Sequence, residues 1–255
     1  VVHHPDARRR GPHHLEAARH AGGAGEDRGD GGRMEPQLGA HHGRGGEAAM
    51  PAAPAPDAAR KARADRARIH VAGLSAGAAM ALTVASAYPE VFAAVAAHSG
   101  APERSADNVF AGLRVMKHGP RVAPAAFGQA GGRPFAPTIV IHGSADRTVH
   151  PGNGEAIWAA VVSAAEGAGL GAVIDRGDAL QLGRRRATRR RLVDGGGAVL
   201  AESWTVQGLA HAWSGGAGGN PFSDPMGPDA STAIAEFLIA HRLASVAPIG
   251  TGIAG

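Results

Sequence analysis

Three residues of this 255-residue chain have types and settings that could do chemistry together: Ser75, Asp146 and His211. Ser75 sits in Gly73-Leu74-Ser75-Ala76-Gly77, between an apolar run and an Ala/Leu/Met-rich stretch free of proline until Pro89. A serine hydroxyl is a weak nucleophile unless a base takes its proton and an acid orients that base. Asp146 follows the apolar run Pro137–Gly143, and His211 follows Glu202–Gln207 in the glycine-flanked "GLAHAWSGG". The order Ser, acid, His, each after an apolar run, suits a nucleophile, an orienting acid and a base brought together in the fold. Each residue also has a plainer reading. Ser75 could be a small turn residue, Asp146 a loop cap or a partner for Arg147, and His211 a solvated loop histidine.

The elements needed to position these groups can be read around them. Arg68–Gly73 reads as a short strand and Ala76–Tyr88 as a helix, so Ser75 falls on a strand-to-helix corner. Gly73 and Gly77 are expected to permit that corner because a Cβ at either would collide across it. The Ala76 N–H, at the helix start, is then placed to face a developing oxyanion. The runs 91–100 and 137–143 suit parallel strands buried on both faces. Helices are expected over 154–169 and 229–243, the latter with Asp229 as N-cap. "ATRRRLVD", the turn Gly195–Gly197 and "AVLAESWTVQG" read as a strand pair. Strands alternating with helices predict an α/β fold, a mostly parallel sheet with helices on both faces.

The N-terminal quarter reads differently. From His3 to Arg68 there is no Val, Ile, Phe, Tyr or Trp; the segment is rich in Arg, His, Gly, Ala and Pro. Such a composition cannot fill a buried strand. Short helices around Leu15–His20 or Ala58–Arg68 are compatible with it. The expected organisation is therefore a low-complexity segment over 1–66, a catalytic domain over 67–245 and a flexible tail over 246–255. Residues 1–66 are expected to be a disordered tail, or an out-of-frame reading of strands that belong before Ile69.

Composition narrows the chemistry further. The net charge is +4 and there is no cysteine, which excludes disulfides and thiolate catalysis. No apolar run approaches the roughly 18 residues of a membrane span, and residues 1–30 lack the apolar core of a signal peptide. His3, His4, His13, His14, His20, His41 and His42 show no metal-ligand spacing on a helix, so no metal site is expected. His150 reads as a loop residue. "GRRRATRRR" (183–191) has no interleaved aromatics, which favours a solvated basic sheet edge over a nucleic-acid grip.

The stretches "RIHVAGLSAGAAMALTVASAYPEVFAAVAAHSGAP", "PTIVIHGSADRTVHPGNGE" and "GLAHAWSGG" resemble the poly(3-hydroxybutyrate) depolymerase family of esterases, over roughly residues 67–243. The resemblance implies an α/β-hydrolase fold and a serine esterase acting on 3-hydroxyalkanoate polyesters or oligomers. Ser75 would be the nucleophile, His211 the base and Asp146 its orienter, with Ala76 an oxyanion donor. Leu74 and Trp213 would contact the substrate, and no cofactor would be needed. Relatives cleave feruloyl or acetyl esters, which leaves that activity, or a crippled enzyme with polyanion-binding basic segments, as the alternative. Family members are commonly secreted, which implies an extracellular setting with neither nucleic acid nor membrane as partner. The family's His-Gly-Cys turn, which supplies a second oxyanion donor before the elbow, is not found in this sequence.

Overall fold

A computed structural model describes residues 52, 54–103, 105, 109–121, 135–175, 177, 179–182 and 184–244. The histidine-rich stretch from His3 to His42 and the expected tail over 246–255 lie outside the described residues, as does the helix suggested at 15–20. Near the start of the described chain, α1 (Ala55–Lys61) and a single 3₁₀ turn (Arg66–Arg68) form where short helical pieces are expected.

The sheet is built from β1 (His70–Leu74), β2 (Ala94–His98), β3 (Thr138–Gly143), β4 (Val173–Asp175), β5 (Ala179–Leu182), β6 (Arg185–Val193) and β7 (Val199–Val206). Their order is β1-β2-β3-β7-β6-β4, with β5 also paired to β6. β1, β2, β3 and β7 run parallel, and β6 turns back antiparallel to β7. This is the expected strand pair around Gly195–Gly197, where Gly197 takes a φ of 87°. Among the described residues β1 has a neighbour on one side only, so its outer hydrogen-bonding groups form a sheet edge.

Helices cover both faces, and the period of two along each strand decides which residues meet them. Val95 and Ala97 of β2 and Val140 of β3 face α2 (Ala76–Ala87) and α4 (Gly152–Gly167), packing with Leu82, Ile157 and Val161. Ala94, Ala96, Ile139 and Ile141 point the other way, with Trp204 and Val206, toward Ile234 and Phe237 of α5 (Ala230–Ile239). Because β2 and β3 are buried on both sides, they carry no polar alternation. The α5 N-cap is Asp229, whose carboxylate accepts from the Thr232 N–H at 3.0 Å and its hydroxyl at 2.7 Å. Those two bonds hold its carboxyl below the usual carboxylate range. One further helix, α3 (Val109–His118), lies between β2 and β3 and is fastened to α4 by the Asn153 amide, which donates to the Val115 carbonyl at 2.9 Å.

The basic strand departs from expectation. β6 lies inside the sheet, flanked by β7 and by β4 and β5, so it is not an edge. Its arginines find internal partners: Arg185 pairs with Asp224, Arg190 with Glu155 and Arg191 with Asp175. Arg190 also lies 4.6 Å from the Trp158 ring centroid. Intramolecular pairing, rather than a solvated margin, absorbs much of this charge. None of the helices among the described residues is long and apolar enough to cross a membrane.

Candidate active site

The corner between β1 and α2 is as tight as the glycine pattern requires, though the two glycines contribute unequally. A Cβ on Gly73 would sit 2.1 Å from the Gly77 carbonyl oxygen, so only glycine fits there. A Cβ on Gly77 would meet nothing within 4 Å, which corrects the expectation of a symmetric constraint. Gly77 is already the second residue of α2 and faces outward, so the corner closes on the Gly73 side alone. Ser75 itself takes φ 58° and ψ −120°, a conformation that disfavours a side chain and costs on the order of 1–3 kcal/mol. Its backbone is held by the Ser75 N–H donating to the His98 carbonyl at 2.9 Å and by its own carbonyl accepting from Ala78 at 3.0 Å. The fixed corner presents the hydroxyl outward and leaves the Ala76 N–H among the helix-start donors with no intrahelical acceptor.

Asp146 lies in the turn after β3 and is 3% exposed. One carboxylate oxygen accepts from the Thr148 and Val149 N–H groups at 2.9 and 2.8 Å. The other accepts from His211 Nδ1 at 2.8 Å. His211 Nε2 in turn accepts from the Ser75 hydroxyl at 3.0 Å. Ser75, His211 and Asp146 thus form one hydrogen-bonded chain, and Arg147 is not among the partners of Asp146. The acid turn and histidine loop meet closely at Gly143, where a Cβ would lie 2.2 Å from the Leu209 carbonyl oxygen. The Ala145 N–H donates to that same carbonyl at 3.0 Å, tying the two loops.

Two histidines absent from the sequence-based site lie beneath this chain. His142, at the end of β3, donates from Nε2 to the Val149 carbonyl at 2.9 Å and stands 3.6 Å from the Asp146 carboxylate. Burial lowers its basicity, outweighing the opposing effects of the Val149 bond and Asp146. His98, at the end of β2, is fully buried, and burial pushes its imidazole down to about 3, helped by the nearby rings of His142 and His211. Each histidine ends an otherwise apolar strand ("AVAAHSG", "IVIHG"), a pattern that could have marked them in the sequence.

The remaining expected site residues are placed as follows. Leu74 is half-buried, immediately before Ser75, and Ala76 is exposed immediately after it. Trp213 is half-buried in β8 (Trp213–Ser214), which pairs with β9 (Ser223–Asp224). Its indole stacks on the His98 ring and donates to the Ser231 hydroxyl at 3.0 Å, so much of it is engaged in tying the loop to β2 and to the start of α5. Next to it Phe222 is 59% exposed. His150 is an exposed loop residue that accepts from the Gly152 N–H. No group of three or more His, Cys, Asp or Glu residues able to hold a metal ion occurs among the described residues.

Known proteins share both the sequence pattern and the fold. The Esterase PHB depolymerase family matches residues 34–187, a stretch that includes Ser75 and Asp146 and ends before His211. The poly(3-hydroxyalkanoate) depolymerase C of Paucimonas lemoignei is 38% identical over 96 residues, covering 35% of this chain and 23% of that protein. The chain therefore matches about a quarter of that relative's length. Among solved structures, the acetyl xylan esterase from Aspergillus awamori superposes with a TM-score of 0.54 at 18% identity, covering 80% of this chain and 71% of that one. The PHB depolymerase from Penicillium funiculosum gives a TM-score of 0.46 at 18% identity, covering 74% and 55%. A mostly parallel sheet with helices on both faces, an α/β-hydrolase fold, and a family match over more than half its length lead to one conclusion: the chain belongs to the Esterase PHB depolymerase family, a family of esterases.

Proposed function

We propose that this chain hydrolyses carboxylic esters through an acyl-enzyme, with Ser75 as nucleophile, His211 as general base and Asp146 as the acid that orients it. The observation that carries this reading is the hydrogen-bonded chain from the Ser75 hydroxyl through His211 to Asp146, mounted on a corner with positive φ. Asp146 fixes the proton of His211 on Nδ1, leaving Nε2 free to take the Ser75 proton as Oγ bonds to the ester carbonyl carbon. The negative charge that moves to the carbonyl oxygen faces the Ala76 N–H. Collapse of the tetrahedral intermediate breaks the bond to the alcohol oxygen, which leaves with the proton from His211 Nε2. Water then repeats the sequence: His211 takes its proton, its oxygen bonds to the acyl carbon, and Ser75 Oγ departs with the proton.

The substrates within this reading are 3-hydroxyalkanoate polyesters or their oligomers. Support comes from family membership and from the half-buried Trp213, two residues beyond His211, with the exposed Phe222 next to it, which offer apolar surface to such a chain. An extracellular site of action belongs to the same reading and rests on the family resemblance alone. The test is a panel of 3-hydroxybutyrate oligomers, p-nitrophenyl, feruloyl and acetyl esters, run with the parent and Ser75→Ala. The expected result is highest kcat/KM on the hydroxybutyrate oligomers and a loss of about 10⁶ in kcat for the variant. Preference for feruloyl or acetyl esters would replace the substrate assignment. A variant keeping a tenth of parental activity would remove Ser75 from the mechanism.

A further inference from the structure

Ser75 and His211 come from positions 136 residues apart, so their hydrogen bond depends on how the elbow and the histidine loop are held to each other. His98 touches both. Its carbonyl accepts the Ser75 N–H at 2.9 Å. Its ring Nε2 accepts the Ser214 N–H at 3.2 Å, three residues beyond His211. The same ring stacks on Trp213, with centroids 4.9 Å apart and planes 21° from parallel.

The chemistry of these contacts fixes the state of the ring. A backbone N–H can only donate, so Nε2 carries no proton, and Nδ1–H donates to the Ser99 hydroxyl at 3.0 Å. Burial holds the imidazole neutral far below neutral pH, so this tautomer persists wherever an esterase with a histidine base can work. None of its hydrogen bonds goes to the Ser75 hydroxyl or the His211 ring, so any influence on them passes through the backbone on either side.

We propose that His98 is a positioning residue: as a neutral imidazole it clamps the histidine loop to the nucleophile elbow and thereby sets the Ser75–His211 hydrogen bond. This rests on Ser75 and His211 being the reacting pair. Without the ring acceptor, the Ser214 N–H is stranded in a fully buried position, where an unmet donor is costly, and the loop shifts to satisfy it. A displacement of about 1 Å between reacting groups costs on the order of 10²-fold in rate.

Two variants of similar polarity separate this role from a structural one. In His98→Gln the side-chain amide oxygen reaches the place of Nε2 and can accept from Ser214; in His98→Asn the amide stops near the place of Nδ1. Both lose the stack on Trp213, so their difference isolates the acceptor. The measurements are kcat and KM on a soluble p-nitrophenyl ester, the rate of Ser75 labelling by a fluorophosphonate, and thermal unfolding. The Asn variant is expected to lose about 10- to 100-fold in kcat and labelling rate with KM changed less than threefold. The Gln variant is expected to recover at least a tenth of parental kcat and to exceed Asn by fivefold or more. If the Asn variant is not folded at the assay temperature, His98→Phe, which keeps a ring and lacks the acceptor, takes its place under the same criterion. Equal kcat in the two variants, or a loss below threefold in the one lacking the acceptor, overturns the proposal. Ser75→Ala run alongside keeps the outcomes apart: activity surviving there refutes the reacting pair itself, whatever His98 does.

Discussion

Replacing Asp146 by Asn should disable catalysis while sparing the fold, and the geometry of the acid turn says why. One oxygen of Asp146 accepts from two backbone N–H groups, Thr148 at 2.9 Å and Val149 at 2.8 Å. In the Asn variant the amide oxygen must take that position, because an NH₂ there would oppose two donors in a site only 3% exposed. The amide nitrogen is thereby directed at His211 Nδ1, now as a donor. His211 can meet it only by moving its own proton to Nε2, the nitrogen 3.0 Å from the Ser75 hydroxyl. A protonated Nε2 cannot take the serine proton, and the carboxylate charge that stabilises the transient imidazolium is gone as well. Tautomer inversion of this kind costs about 10⁴ in kcat, or about 5 kcal/mol in activation free energy. The turn keeps both backbone bonds, so the thermal midpoint should move by only a few degrees. Steady-state hydrolysis of a p-nitrophenyl ester at pH 7–8, with melting followed by circular dichroism, reads both quantities. An Asn variant within tenfold of parental kcat and with an unchanged melt would refute the role given to Asp146.

The two glycines of the elbow should respond oppositely to alanine. Gly73→Ala forces a Cβ to within 2.1 Å of a backbone oxygen and should abolish activity and lower stability by several kcal/mol, whereas Gly77→Ala lies in open space on a helix and should gain about 0.5–1 kcal/mol in urea unfolding. Acid should weaken the fold through His98. Its folded-state value of about 3 lies below its ordinary 6.5, so the unfolded chain binds the extra proton between those limits and stability falls as pH drops through that window. The loss amounts to a few kcal/mol for this ring alone, with His142 adding in the same direction. Urea unfolding at pH 7, 5.5 and 4 should show a slope that His98→Gln reduces; identical slopes in parent and variant would contradict it.

What was legible in the sequence, and what was not, follows from how each element is encoded. The β1–elbow–α2 unit could be read because glycine punctuates the strand and no proline interrupts Ala76–Tyr88. β2 and β3 could be read because burial on both faces makes them continuously apolar, and the β6–β7 pair because three glycines mark its turn. The proximity of Ser75, Asp146 and His211 could be expected from chain order alone, since parallel strands bring the loops at their C-terminal ends to one side. β4, β8 and β9 have only two or three residues, too few for any period to register. α3 was hidden because apolarity and burial do not coincide along it: Phe110 and Leu113 are exposed at 85% and 49%, whereas Val115 is buried. The position of β6 within the sheet was also beyond reach: its arginines read as an edge, and only the distant Glu155 and Asp224 show where their charge is met. His98 and His142 went unread because a single polar residue at the end of an apolar strand does not disclose which loop it will hold.

The central claim is that Ser75 is an activated nucleophile, and covalent labelling measures this directly. The folded protein is treated with a fluorophosphonate, digested, and mapped by mass spectrometry, with His211→Ala as the control. The account predicts stoichiometric labelling of the peptide containing Ser75 in the parent, and labelling slowed by several orders of magnitude when the His211 imidazole is removed. A parent protein that stays unlabelled, or label found on another serine, would contradict it.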